Sequence, residues 1–64
     1  MEIRQVRKKA GFTQAQLSEA TGIDQASISR IENGKQGVTL DYLQRMARAL
    51  GVGVADLVGD AQGH

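Results

Sequence analysis

Three helix starts in this sequence are marked by the same arrangement of residues. An apolar residue precedes a capping position, and a second apolar residue follows four positions after the cap, which is the spacing of a hydrophobic staple. The apolar pairs and their caps are Phe12 and Leu17 around Thr13, Val38 and Leu43 around Thr39, and Val52 and Leu57 around Gly53. Gln16, three residues after Thr13, completes a capping box. The pattern therefore predicts where three helices begin.

Two further helices follow from periodicity and punctuation. Ile3, Val6, Arg7 and Ala10 lie at the spacing of one helix face, and Gly11 suits the position that ends such a helix. Asp24 can cap another helix that ends at the Asn33-Gly34 pair. For the fourth helix, which Gly51 ends, we expect an apolar face of Leu40, Leu43, Met46, Ala47 and Leu50. The last helix is predicted over residues 54–58.

Length and composition limit the classes of protein that this chain can be. With 64 residues and no cysteine, it should form one small all-α domain over residues 1–59 without disulfides or thiolate-bound metal. The polar residues 60–64 should be a disordered tail, and the single histidine, His64, should be a frayed end or tag remnant rather than a ligand. Without a long apolar run or a secretory apolar segment, we expect a cytoplasmic protein with no membrane partner.

No constellation of residues points to catalysis. The serine and threonine hydroxyls have no histidine base near them, and no glycine-rich phosphate loop is present. Asp41 and Asp56 lie in first helical turns, where the helix dipole favours a carboxylate. We therefore expect no enzyme, no catalytic residue, no cofactor and no metal site.

The second and third predicted helices are joined by the short segment ATGID, with Gly22 inside the turn. So short a connection makes two helices cross steeply, and the small side chains of Ala15 and Ser18 would allow close approach. At 100° per residue, Ile28 and Ile31 face the core. The opposite face, an arc of about 140°, holds Gln25, Ala26, Ser29, Arg30 and Asn33.

This outer face differs from an ordinary solvated face, which usually carries Glu and Lys. Glutamine can pair with adenine, arginine with guanine, and alanine with the thymine methyl group in the DNA major groove. The candidate base contacts are Gln25, Ala26, Ser29 and Arg30. Gln14 begins the second helix, where it can meet a phosphate, and Asn33 and Lys35 could do so at the far end of the third.

The charges are distributed in a way that is compatible with this interpretation. Residues 1–35 carry a net charge of +2 and residues 36–64 a net charge of −1. We expect Arg4, Lys8 and Lys9 to be ordinary surface charges that add only to the general field.

Taken together, TQAQLSEATGIDQASISRIENG and LQRMARALGV resemble the Cro/CI-type helix-turn-helix domain of lambdoid phage repressors and the wider Xre family. The resemblance covers residues 3 to about 59. It implies a compact five-helix, lambda-repressor-like DNA-binding domain with its helix-turn-helix core at 14–33. It also implies a third helix that reads bases, and binding to operators as a two-fold dimer. By position, Gln25, Ala26, Ser29 and Arg30 would face bases, and Gln14, Ser27, Asn33 and Lys35 would approach phosphates.

The resemblance also gives a partner to Arg7, which interrupts the apolar stripe of the first helix. Similar proteins pair this position with that of Glu32 in a partly buried salt bridge that directs the arginine toward the DNA backbone. Two departures from the family pattern stand out. The segment KQGVT lacks a proline and extra residues that many relatives carry, and Thr21 replaces an aliphatic residue.

The leading hypothesis is a transcriptional regulator, most simply a repressor, that binds double-stranded DNA at a pseudo-palindromic operator. A weak homodimer would form through Val52, Val54, Leu57 and Val58, which are more apolar residues than so short a helix can bury, with residues 36–38 beside them. One alternative is a protein-interaction module with a solvated third helix. Another is a DNA-binding antitoxin with a toxin partner, or a restriction–modification controller, and the sequence does not choose among these settings.

Overall fold

The computed structural model describes residues 1–59, which form five helices and no strand. The helices are α1 (Ile3–Lys9), α2 (Gln14–Thr21), α3 (Gln25–Glu32), α4 (Leu40–Leu50) and α5 (Val54–Val58). This confirms the all-α prediction. The predicted tail at 60–64, and with it His64, lies outside the described residues. Over residues 1–59 no helix is long and apolar enough to cross a membrane.

The helix starts lie where the capping residues predict them. The Thr13 hydroxyl accepts a hydrogen bond from the backbone N–H of Gln16 at 3.0 Å, and the Gln16 side chain accepts one from the Thr13 N–H at 2.9 Å. Thr39 caps α4 with the same hydroxyl-to-backbone bond. Gly53 has no side chain to offer, and its N–H instead donates to the Asp56 carboxylate at 2.9 Å. Each cap pairs a backbone group that the end of a helix would otherwise leave free.

All five helices contribute to one apolar core between them. The buried residues of the core are Ile3, Leu17, Ile23, Ile28, Ile31, Leu43, Met46, Ala47, Leu50 and Leu57. Partly buried side chains, among them Val6, Phe12 and Val38, pack around this set. The buried set contains aliphatic side chains and the thioether of Met46 but no aromatic ring. Since protein interiors are closely packed, the loss of one methylene from this core leaves a void.

The expected face of α4 is wrong at one position. Leu40 is 62% exposed, whereas Leu43, Met46, Ala47 and Leu50 are buried. Leu40 is the first residue of α4. Helical spacing shows which residues share a face but not how far neighbouring elements extend over it, and in this fold they leave Leu40 uncovered.

A buried ion pair links α1 to the end of α3. Arg7 Nε lies 2.6 Å from Glu32 Oε2, and Arg7 Nη2 lies 3.1 Å from Glu32 Oε1. The third nitrogen, Nη1, donates to the backbone carbonyl of Phe12 at 2.8 Å. Gln14, the first residue of α2, also donates to Glu32 Oε1, at 3.0 Å. The carboxylate of Glu32 therefore holds α1, α2 and α3 together at one point.

The environment of Glu32 decides how this contact responds to acid. Burial by itself would raise the pKa of the Glu32 carboxyl, but hydrogen bonds from Arg7 and Gln14 and the charge of Arg7 outweigh burial and hold the pKa below its ordinary value of 4.5. Since the folded-state pKa is the lower one, the contribution to stability is fully present above the ordinary value. It is lost as the pH falls through the lowered pKa.

The Glu32→Ala variant should be much less stable than the wild type, because it leaves the Arg7 guanidinium buried without its partner. Breaking a buried pair in this way costs about 3–5 kcal/mol, and each kcal/mol shifts the melting temperature of so small a domain by about 4–8 °C. We therefore expect the thermal midpoint, followed by circular dichroism, to fall by more than about 12 °C.

The matched control is Glu19→Ala, which removes a carboxylate from an exposed helix position. Its melting temperature should stay close to that of the wild type, since surface substitutions usually change stability by less than about 0.5 kcal/mol. Glu32→Gln keeps one carbonyl acceptor for Arg7 and should fall between the two. Equal melting temperatures for Glu32→Ala and Glu19→Ala would show that the ion pair contributes nothing.

Candidate nucleic-acid interface

The turn between α2 and α3 is a sharp reversal of the backbone at Gly22. This residue has φ 77° and ψ 7°, in the left-handed region that favours glycine. A methyl group at Gly22 would meet only Arg45 Nη1, at 3.8 Å, so the backbone angle rather than lack of space requires glycine. The left-handed Gly22 thus ends α2, and α3 begins only three residues later, at Gln25.

Two hydroxyl groups from α2 fix the turn. Ser18 Oγ donates to the Ile23 carbonyl at 2.5 Å. Thr21 Oγ1 accepts from the Ile23 N–H at 3.2 Å and donates to the Leu17 carbonyl at 2.7 Å. Ile23 is buried in the core, so both of its backbone groups need such partners. The turn therefore holds α3 in one orientation relative to α2.

Sequence reasoning missed these three bonds. It treated Ser18 and Ala15 only as small residues at the helix crossing and Thr21 as a loss of core. Ala15 is in fact exposed, and the hydroxyls act through hydrogen bonds. The available signal was a pair of hydroxyl residues at the end of a helix, next to an apolar residue in a turn, where such side chains often bond to the backbone.

The four candidate base contacts lie on the outer face of α3. Gln25, Ala26 and Arg30 are exposed and Ser29 is half-buried, whereas Ile28 and Ile31 on the opposite side are buried. An α-helix with its side chains is about 10–12 Å across, and the DNA major groove is about 12 Å wide. The outer face of α3 therefore presents a ridge that fits this groove.

Two polar side chains, one in α3 and one in the segment after it, bind the Arg30 guanidinium. Its Nε donates to Gln36 Oε1 at 2.8 Å, and its Nη2 donates to Ser27 Oγ at 3.3 Å. Gln36, in the segment after α3, was not among the predicted site residues. These contacts leave Nη1 and one N–H of Nη2 able to donate, which is the fork that a guanine base accepts.

Three of the five candidate phosphate contacts are exposed or half-buried, and the other two are buried. Lys35 is exposed and lies three residues after α3. The left-handed Gly34, φ 72°, lets the chain turn back there, so that the Lys35 N–H donates to the Arg30 carbonyl. Gln14 is half-buried and its amide donates to Glu32. Asn33 is exposed, and its amide N–H donates to the Ser29 carbonyl at 2.9 Å.

The other two predicted phosphate contacts, Arg7 and Ser27, are buried. Arg7 is 7% exposed, and each of its three nitrogens already donates to Glu32 or to the Phe12 carbonyl. Ser27 Oγ donates to Asp24 Oδ1 at 2.8 Å, and this bond and the one from the Ser27 backbone N–H lower the pKa of the Asp24 carboxyl. Both side chains thus bind partners inside the protein. Arg7 keeps two N–H donors beyond its three bonds, and the contact of either side chain with a phosphate stays a prediction.

The four residues predicted to form a dimer interface do not share one environment. Leu57 is fully buried in the core, so its assignment to an interface is wrong: α5 points it inward, and its carbonyl accepts from the Glu2 N–H at 2.8 Å. Val52 and Val54 are half-buried against the core, and Val58 is 40% exposed. The Met1 side chain is also exposed, and it precedes Glu2, whose N–H bonds to the Leu57 carbonyl.

The sequence model of the helix-turn-helix family matches residues 3–57. A competence pilus inhibition repressor of Acinetobacter baylyi is 34% identical over 86% of this chain and 50% of its own length. An immunity repressor protein of Bacillus phage phi105 is 33% identical over 91% of this chain and 40% of its own. The control protein C.BamHI of Bacillus amyloliquefaciens is 34% identical over 89% and 72%.

The chain thus spans half or less of the length of the two repressors named above. No solved structure matches it. The family match covers α1 to α4 completely and all of α5 except Val58, and it includes the Gly22 turn and the outer face of α3. The chain belongs to the helix-turn-helix family of the Xre and Cro/CI type.

Proposed function

We propose that this protein is a sequence-specific transcriptional regulator that places α3 in the major groove of double-stranded DNA. The observation that carries the proposal is the outer face of α3, where Gln25, Ala26, Ser29 and Arg30 lie together on a helix fixed by the Gly22 turn. Family membership supports it, as do the names of the relatives, two of which are repressors. Repression is accordingly the favoured mode.

Each residue of this face has a partner among the bases. Gln25 can bond to the N6 and N7 positions of adenine, Arg30 to O6 and N7 of guanine, and Ala26 can contact a thymine methyl group. Ser29 can bond to more than one base. Lys35 at the end of α3 and the start of α2 at Gln14 would hold the backbone on either side.

In this role the protein acts by binding alone, with no catalytic step and no cofactor. Its proposed place is the cytoplasm. A phage repressor, an antitoxin and a restriction–modification controller share this DNA chemistry, and the proposal applies to all three. The competing interpretation, a module that binds another protein while α3 remains solvated, is disfavoured because the outer face of α3 carries no Glu or Lys.

The proposal includes binding to DNA as a homodimer. One short helix contacts only a few base pairs, which is too little to discriminate against the many competing sites of a genome. Two copies related by a two-fold axis would present their α3 helices about one DNA turn apart, so that the operator is a pseudo-palindrome. The exposed Val58 and the half-buried Val52 and Val54 are the apolar residues available for a weak contact.

Binding to DNA should depend steeply on salt. Each phosphate that the protein neutralises contributes about −0.9 to the slope of log K against log salt concentration. We expect a slope of several units when the purified protein is titrated with a mixed-sequence duplex at two or more salt concentrations. Affinity that stays flat between low and physiological salt, or the absence of binding, would favour the protein-interaction module.

Arg30→Ala should relax base preference at one operator position, at a cost of about 1–3 kcal/mol for the preferred base. Lys35→Ala, the matched control, should weaken binding to all sequences by a similar factor because phosphate contacts carry no sequence information. Selection from a randomised duplex library measures both. Arg30 is not a base contact if its substitution lowers affinity for every sequence equally.

The symmetry of the bound site tests the dimer. Footprinting on a selected operator should show two protected half-sites with centres about ten base pairs apart. Substitution of Val58 by a charged residue should reduce occupancy of the paired site more than that of an isolated half-site. Full-affinity binding to a single half-site would mean that the protein acts as a monomer.

A further inference from the structure

We propose that Arg4 contacts the DNA backbone, with its guanidinium bound to a phosphate beside the end of α3. The inference rests on the proposed function. It adds a DNA contact at a residue that no pattern in the sequence distinguishes. Arg4 lies in the first turn of α1, outside the helix-turn-helix, and sequence analysis groups it with Lys8 and Lys9 as an ordinary surface charge.

The structure gives Arg4 a fixed position. Its Nη2 donates to Asn33 Oδ1 at 2.5 Å, and its Nε lies 3.5 Å from Glu32 Oε1. Both partners belong to the end of α3 and the residue that caps it. Arg4 is therefore held next to Asn33 and, through the shared oxygen of Glu32, close to Gln14 at the start of α2. These are two of the residues predicted to approach phosphates.

The charge of Arg4 is not cancelled by this position. The carboxylate of Glu32 is fully buried and already has a close partner in Arg7, 2.6 Å away and also buried. The contact from Arg4 to the same carboxylate is longer, 3.5 Å, and the Arg4 side chain is 44% exposed. The three groups together carry one surplus positive charge, which lies at the surface on Arg4.

Neither the Asn33 amide nor the Gln14 amide can replace the charged guanidinium of Arg4 as a partner for a phosphate. Asn33 uses its oxygen for Arg4 and one amide N–H for the Ser29 carbonyl, and Gln14 uses an amide N–H for Glu32. A guanidinium has five N–H donors, of which Arg4 uses two, so three remain for a phosphate in a planar fork. In addition, a neutral amide releases no counterion from DNA, whereas a cation does. Asn33 is therefore a residue that positions Arg4.

Lys9 provides a matched control on the same helix. It is exposed, carries the same charge, and lies two residues after Arg7, about 160° around the helix from the side that meets α3. Arg4→Gln and Lys9→Gln each remove one positive charge from α1. Only the first removes it from the site next to Asn33.

The experiment measures the affinity of the wild type and both variants for one mixed-sequence duplex at 50 and 200 mM salt. If Arg4 binds a phosphate, Arg4→Gln lowers the slope of log K against log salt by about 0.9 for each bound protomer. The affinity advantage of the wild type then shrinks about 3.5-fold between the two salt concentrations. Lys9→Gln should keep the wild-type slope, and Arg4→Lys, which retains the charge, should restore it.

The outcomes separate this inference from the function on which it rests. Equal slopes for Arg4→Gln and Lys9→Gln, with the wild type binding DNA, would overturn the role of Arg4 and leave the proposed function intact. A wild type that does not bind DNA would overturn both. Melting curves accompany each measurement, and because Arg4 is outside the core, its variants should melt within a few degrees of the wild type.

Discussion

The carboxylate of Glu32 is out of contact with water, and the arrangement of the first three helices depends on how it is paired. Arg7 and Gln14 donate to it from α1 and from the start of α2. An uncompensated charge at this depth would cost several kcal/mol, so these partners cannot be moved independently. As a result, the end of α3 keeps one distance from the start of α2, and the groups proposed to hold DNA are fixed with respect to the helix proposed to read it.

The helix boundaries could be predicted because the interactions that set them are local. Thr13 and Thr39 cap backbone groups a few residues away, and Gly22 and Gly34 permit angles that few other residues adopt. Leu40 and Leu57 show where local reasoning fails. Which apolar residues of a short helix are covered depends on distant parts of the chain: the bond from the Glu2 N–H to the Leu57 carbonyl joins the N-terminus to α5, and no periodicity contains it.

In the candidate site, too, local patterns predict one part and contacts between distant residues determine the other. Helical spacing alone predicts the outer face of α3, whereas the pairing of Arg7 with Glu32 came from the family resemblance. The part that escaped prediction consists of side chains that meet across sequence: Arg30 with Gln36, and Arg4 with Asn33. Arg7 and Ser27 were assigned to phosphates because of their position in the family pattern. The family pattern does not show that both side chains are buried and that their polar atoms bind partners inside the protein.

The two faces of α3 are independent of one another in a way that matters for how such proteins diverge. Ile28 and Ile31 belong to the core, while Gln25 and Ala26 on the opposite side are exposed and belong to no part of it. Substitutions at the exposed positions can accumulate without loss of folding, since they leave every core contact in place. A gene duplicate of this domain could therefore acquire a new DNA target through a few changes on one helix, while the scaffold that carries the helix is inherited unchanged.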